Sequence, residues 1–314
     1  MHSASRRLTL DHLIAAMLAG MGLACFLFAW NKGFSVDAVR AIPPAAALYG
    51  LFLARSIGRQ RGRPAITAAA TAFGQMTLFT ILGVVLAYAI AAHPAPLWDE
   101  RLAAADRALG LHWPAILAAL DDRPALLPVL GFAYHGLSVQ MVLTILALAK
   151  ARRFATLRVT IAAAVLSGFV TILVSAAMPA AGNLFDPDQY RHLWPSVAWA
   201  ERGLIAGLRD GSDRVLDLSA LMGIVSFPSY HATLAAIFIW SARAVPGLRW
   251  PLTGWAVLTI VATPVFGGHY AVEVIVGLLL APPAIAAASA AAVRLRAAPA
   301  RRYARVPAVL QVRA

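Results

Sequence analysis

The sequence predicts an all-α, polytopic integral membrane protein with about eight transmembrane helices, and three observations predict it. Of its 314 residues, 61% are hydrophobic and 13% charged, where a soluble domain carries roughly 25% charged residues. Apolar runs of about 20 residues, the length that crosses a bilayer as a helix, recur along the whole chain. Most of the 27 basic residues gather at alternate connections between those runs.

In order, the runs are Leu13–Trp30, Val39–Ala54, Ile66–Ala91, Ala125–Ala149, Leu157–Met178, Pro228–Val245, Leu252–Phe266 and Tyr270–Val293. The first has no small-residue cleavage site followed by polar sequence, so it reads as a retained anchor. Its Cys25, the single cysteine, excludes an intrachain disulfide. The second is interrupted by Pro43-Pro44, which a helix tolerates in its first turn. The fourth carries His135 and Gln140 in its outer part. The sixth opens on Pro228-Ser229, where proline fits a first turn and Ser229 or Ser226 can cap it. The eighth follows Gly267-Gly268 and holds a glutamate, Glu273, inside apolar sequence.

With the N-terminus inside, 18 of the 27 basic residues fall at inner connections, among them Arg55, Arg59, Arg63, Arg158 and the tail arginines. Thirteen of the 14 acidic residues fall outside or at outer ends of spans, with Asp11 the exception. This is the positive-inside pattern. It places both termini in the cytoplasm, the histidine-bearing ends on the extracytoplasmic side, and the chain in a bacterial inner membrane. The net charge of +13 is therefore orientation signal and lipid-headgroup affinity, not nucleic-acid binding. Residues 1–64 read as two N-terminal helices and a basic turn, 65–293 as the core, and 294–314 as a basic tail.

Two outer connections are long. In His93–Pro124, apolar residues recur at helical spacing among charges, with tryptophans at the edges, which predicts an interfacial amphipathic helix. In Pro179–Phe227 the length favours a lid or substrate vestibule. His93, His112, His192 and the stretch Trp194 to Trp199 read as interfacial.

The chemistry lies in Ser226-Phe227-Pro228-Ser229-Tyr230-His231 and Gly267-Gly268-His269-Tyr270-Ala271-Val272-Glu273. His269 and Glu273 are four apart, so a helix puts them on one face. A carboxylate in an apolar span is costly unless paired. Neutral imidazole can attack phosphorus, and Glu273 can orient His269 through its far nitrogen. His231 can donate the proton that the leaving oxygen needs. No metal or cofactor is expected, and the HExxH pattern of a zinc site is absent.

These motifs resemble the type-2 phosphatidic acid phosphatase superfamily and, more closely, its inositol phosphorylceramide synthase-like (inositolphosphotransferase) branch. Asp106-Arg107-Ala108-Leu109-Gly110 with Trp113-Pro114, Ala133-Tyr134-His135, Met178-Pro179-Ala180-Ala181-Gly182 and Leu208-Arg209-Asp210-Gly211 extend the resemblance. It implies a metal-independent six-helix core, a site on the extracytoplasmic face and a lipid phosphate substrate. It also implies His269 as nucleophile, His231 as general acid and Glu273 as the orienting residue. The family usually has aspartate at Glu273, and a Ser-Arg pair where this chain has Ala262 and Thr263. Arg209 is then the first choice to clamp phosphate, ahead of Arg191, Arg202 and Arg214. Ser229, Tyr230, His135, Gly268 and Tyr270 complete the expected substrate site.

The expected function is lipid phosphatase or phosphotransferase, on a phospholipid, phosphosphingolipid or polyprenyl phosphate. Two rivals are a degenerate lipid-binding protein and a transporter. A transporter needs charges along a mid-membrane path, whereas here they cluster at one face. Oligomeric state is left open.

Overall fold

A computed structural model describes residues 8–224 and 227–303. Ser226, one of the two expected caps, and Arg6, Arg7, Arg305 and Arg313 lie outside the described residues. The helices are α1 (Leu10–Asn31), α2 (Ile42–Gln60), α3 (Pro64–Ala91), α4 (Asp99–Ala108), α5 (Trp113–Asp121), α6 (Leu126–His135), α7 (Leu137–Lys150), α8 (Phe154–Ala177), α9 (Val197–Asp210), α10 (Tyr230–Ala242), α11 (Arg249–Phe266) and α12 (Ala271–Tyr303). Two residues of β1 (Ser35–Val36) pair in parallel with two of β2 (Val215–Leu216), tying the α1–α2 connection to the segment after α9.

The fold is a helical membrane fold, as the sequence predicts. Four helices are each long and apolar enough to cross a membrane: α1, α3, α8 and Ala271–Leu295 of α12. The fourth predicted span is not continuous. It is α6 and α7, bent by 58° at Gly136, which together are long and apolar enough for one broken span or a re-entrant loop. A Cβ at Gly136 would sit 2.6 Å from the Trp255 ring, so α11 presses close at the break. The other three predicted spans are helical but do not meet that standard. Helix α2 carries Arg55 and Arg59, α10 has 13 residues, and α11 is diluted by Pro, Thr and Gly. Among the described residues, four of the eight expected spans therefore qualify on length and composition alone, or five with the bent pair counted as one.

Pro43 and Pro44 do fall in the first turn of α2, where no intrahelical bond is lost. Pro228 does not open α10. It precedes Ser229, which is the N-cap.

Helix α8 is the centre of the bundle. Residues Thr160 to Val165 are buried without a gap, the mark of a helix surrounded on all sides. It packs with α1, α3, α7, α10 and α12 around a core that includes Phe79, Ile161, Ile237 and Phe238. The acidic exception of the charge pattern, Asp11, is accounted for: it pairs with Arg158 at 3.1 Å, at the end of the bundle remote from the histidines. At the histidine end, α4, α5 and α9 lie over the helix tips. The amphipathic helix predicted in the first long connection is thus two helices, α4 and α5.

Candidate active site

Two short chain segments meet at the histidine end. Ser229 caps α10, accepting from the backbone N–H of Ala232 at 3.5 Å, so His231 lies in the helix's first turn. The backbone N–H of Ser229 donates to the Glu273 carbonyl at 3.0 Å, and Thr233 Oγ1 donates to the Gly277 carbonyl at 2.8 Å. These bonds fix the register of α10 against α12. The rings of His231 and His269 come to lie 6.4 Å apart, centre to centre.

His269 Nδ1 lies 2.8 Å from Glu273 Oε2. Both residues are buried, Glu273 completely. An ionised carboxylate only accepts, so Nδ1 carries the proton and Nε2 keeps its lone pair. Nε2 has Ser229 Oγ at 3.5 Å. The same Glu273 oxygen accepts the Tyr270 N–H at 3.0 Å, which holds the glutamate in place. The longer side chain at this position, against the family's usual aspartate, still reaches the imidazole.

The loop before His269 has a strict shape. Gly268 has φ +71°, and a Cβ there would meet Ala198 Cβ at 2.7 Å and Ser196 Oγ at 2.8 Å. Its carbonyl accepts from Asn183 N at 2.6 Å, and the Gly267 carbonyl from Ala198 N at 3.2 Å. The start of α9, capped by Ser196, is in this way fastened to the loop that carries His269.

Beside the histidines opens a cavity of about 390 Å³. His135, His231 and His269 line it, with Tyr134, Tyr230 and Glu201. Leu221 and Ile224, from the second long connection, form part of its wall. Tyr134 stacks on His231 at 4.4 Å with 16° between the planes, and so sets that ring's orientation. Tyr230 donates to the Ala164 carbonyl at 2.9 Å and packs on Phe79.

Over residues 100–287 the chain matches the profile of the PAP2 superfamily, a stretch that takes in both histidines and Glu273. It belongs to the PAP2 superfamily. No curated protein and no solved structure matches it. A PAP2 protein is a helical membrane phosphatase of lipid phosphates, which makes the histidine cavity the place to look for that chemistry.

The structure brings His135, Ser229, Tyr230, His231, His269 and Glu273 together, and Gly268 shapes the loop. Two expected substrate contacts lie elsewhere. Arg209 does not line the cavity; its guanidinium donates to the Ala95 carbonyl at 2.8 Å. Tyr270 packs among Leu102 and Phe227, with its hydroxyl 3.5 Å from Asp99. Two of the other candidate clamps are also engaged: Arg202 lies over Trp199, and Arg214 lies over Phe34 and donates to the Leu208 carbonyl; Arg191 does not line the cavity. No arginine or lysine lines the cavity among the described residues. Gln140 is a helix-to-helix tie, donating to the Leu252 carbonyl at 2.9 Å. Trp194 packs on Phe266 at 5.0 Å. His112 caps α5. Among the described residues no group of three His, Cys, Asp or Glu side chains is placed to hold a metal ion.

Two residues that the sequence reading gave no role matter here. Asp106 is fully buried and accepts from the backbone N–H groups of Ala271 (2.8 Å) and Val272 (2.9 Å) and from Trp113 Nε1 (2.6 Å). It holds the first turn of α12, which carries Glu273. Glu201 is 4% exposed with no hydrogen-bond partner among the described residues, and burial pushes its carboxyl up to about 8. At neutral pH it is mostly a neutral acid facing the cavity. Both had a readable signal. Asp106 stands four residues after Leu102 on the apolar face of α4, and Glu201 stands among Ala198, Ile205 and Leu208 on that of α9.

Proposed function

We propose that the protein is a lipid phosphatase or headgroup phosphotransferase that works through a phosphohistidine on His269. The observation that carries this reading is the His269–Glu273 contact at 2.8 Å, beside a cavity that also holds His231. In the first step the N–P bond forms at His269 Nε2 as the P–O bond to the leaving group breaks. His231 gives its proton to that oxygen. In the second, the oxygen of water or of a lipid alcohol bonds to phosphorus, the N–P bond breaks, and His231 recovers a proton. Glu273 keeps Nδ1 protonated and turned away from the reaction, and stabilises the charge that His269 acquires. The N-terminus of α10 favours an anionic phosphate nearby.

The distribution of arginines supports a site on the extracytoplasmic side of an inner membrane. The segment 65–293 is the catalytic core on this reading, and the family match lies inside it. One observation favours transfer over hydrolysis of a phosphomonoester. A phosphomonoester brings about two negative charges, and a phosphodiester one. Among the described residues the cavity has histidines but no arginine or lysine to meet them. A phospholipid or phosphosphingolipid donor with an alcohol acceptor, as in the inositolphosphotransferase-like branch, suits that balance.

The test is a purified protein given a panel of phospholipids and polyprenyl pyrophosphates, with EDTA present and His269→Ala alongside. Release of phosphate, or labelled headgroup moving to ceramide or diacylglycerol, is expected from the wild type and not from the variant. Activity that persists in His269→Ala overturns the mechanism. No activity on any lipid shifts the reading to a binding-only member of the superfamily.

A further inference from the structure

The end of the bundle remote from the histidines holds a second cleft, of about 550 Å³, between α1, α2, α3 and the first turn of α8. Four arginines line it. Arg55 and Arg59 are one turn apart near the end of α2, so they project from one face. Arg63 stands in the turn into α3, and Arg158 in the first turn of α8. Arg158 is neutralised by Asp11 at 3.1 Å. The guanidiniums of the other three have no hydrogen bond, ion pair or ring contact among the described residues. The positive-inside rule asks for basic residues in this connection. It does not ask that three unpaired guanidiniums line one concavity.

Below that rim Ala68 and Ala72 of α3 and Phe154, Leu157 and Ile161 of α8 supply an apolar lining, beside Thr67, Thr71 and Gln75 of α3. A cationic rim over an apolar wall fits a molecule that is anionic at one end and hydrocarbon at the other. The volume also lies in the range of about 300–1,000 Å³ typical of small-ligand sites.

We propose that this cleft binds one anionic phospholipid, with its phosphate among Arg55, Arg59 and Arg63 and an acyl chain along the α3–α8 wall. Basic pockets between transmembrane helices are suited to such headgroups, and guanidinium offers the phosphate paired N–H donors. The site is separate from the histidine cavity and shares no lining residue with it. A lipid held there would brace α2 against α3 and α8.

The experiment uses full-length protein carrying His269→Ala, so that lipid is not consumed. Native mass spectrometry in neutral detergent follows retention of phosphatidylglycerol, phosphatidylcholine and inorganic phosphate. One phosphatidylglycerol per chain is expected, and no phosphatidylcholine. Each arginine near an anionic headgroup contributes about fivefold, so R55Q/R59Q/R63Q is expected to bind roughly 100-fold more weakly. The charge-keeping R55K/R59K/R63K is expected to retain most binding, which separates loss of the site from loss of the fold. In the otherwise wild-type chain the triple glutamine change is expected to leave turnover unaltered. Equal retention by the triple glutamine variant, or equal retention of phosphatidylcholine, overturns the proposal. Inorganic phosphate displacing the lipid at equal concentration overturns the lipid and points to a soluble anion.

Discussion

The two ends of the bundle treat their charges in opposite ways. At the histidine end, buried and half-buried carboxylates are occupied by the protein itself. Asp99 accepts from the N–H groups of Ala181 and Gly182; Asp106 from Ala271, Val272 and the Trp113 indole; Asp121 from Arg191, His192 and Leu193. Glu273 accepts from Tyr270 and His269. At the other end, Arg55, Arg59 and Arg63 are exposed and unpaired among the described residues. A buried charge must be satisfied internally or it costs several kcal/mol, and the partners it acquires make it rigid. The acidic end is therefore a mould that fixes loops around two histidines. The basic end is a surface open to outside ligands.

The sharpest attack on this comparison is at the histidines. His269→Ala removes the proposed nucleophile and is expected to abolish turnover, while His231→Ala removes the proposed general acid and is expected to cost about 100- to 10,000-fold in kcat. Glu273→Gln keeps the shape and loses the charge. Its expected loss is on the order of 1,000-fold or more in kcat with little change in KM, because orientation of a base acts in the transition state. Near-wild-type kcat in that variant would show that the contact is structural only.

Next in size is Asp106→Ala. It strands two backbone donors and an indole N–H, each costing about 1–3 kcal/mol when buried without a partner. Thermal unfolding in detergent is expected to drop sharply, and activity with it, since Glu273 rides on the turn that Asp106 holds. An Asp106→Ala protein as stable as wild type would break the picture of the acidic end as a mould.

How far this was readable from sequence depends on which kind of interaction did the work. The helices were legible, because apolar length is a local property. So were His231, His269 and Glu273, because their spacing within short motifs puts them on helix tips. The break at Gly136 was not, because it depends on Trp255 from a distant helix. Nor was the fate of Arg209: an arginine in a polar loop looks the same whether it faces a substrate or the carbonyl of Ala95. Asp106 and Glu201 lay between these cases. Each is an acid on the apolar stripe of an amphipathic helix, and that departure from pattern marks a buried carboxylate before any contact is known.

Glu201 is the exception at the acidic end, a buried carboxyl without a partner, and it supplies a pH test. Its carboxyl ionises near 4.5 when unfolded and near 8 when folded. Between those values the folded state holds the extra proton. Its contribution to stability is thus greatest below about 4.5, falls as pH rises toward about 8, and levels off above it. Glu201→Gln is expected to remove that slope and to be more stable than wild type at pH 8, by on the order of a few kcal/mol. Unfolding midpoints at pH 5 and pH 8 measure it. A wild-type slope that survives in the glutamine variant would place the titration elsewhere.

The smallest expected effect belongs to the basic end, and its smallness is what the comparison requires. Arg59 is exposed and has no partner among the described residues. Arg59→Gln removes no internal bond, so in lipid-free detergent it is expected to shift stability by less than about 0.5 kcal/mol. The same substitution is expected to show its cost only when anionic lipid is added, because a ligand that binds the folded state alone stabilises it in proportion to its occupancy. A cost that appears without lipid would mean that the arginine already serves the fold, and the two ends would then differ in sign of charge but not in kind.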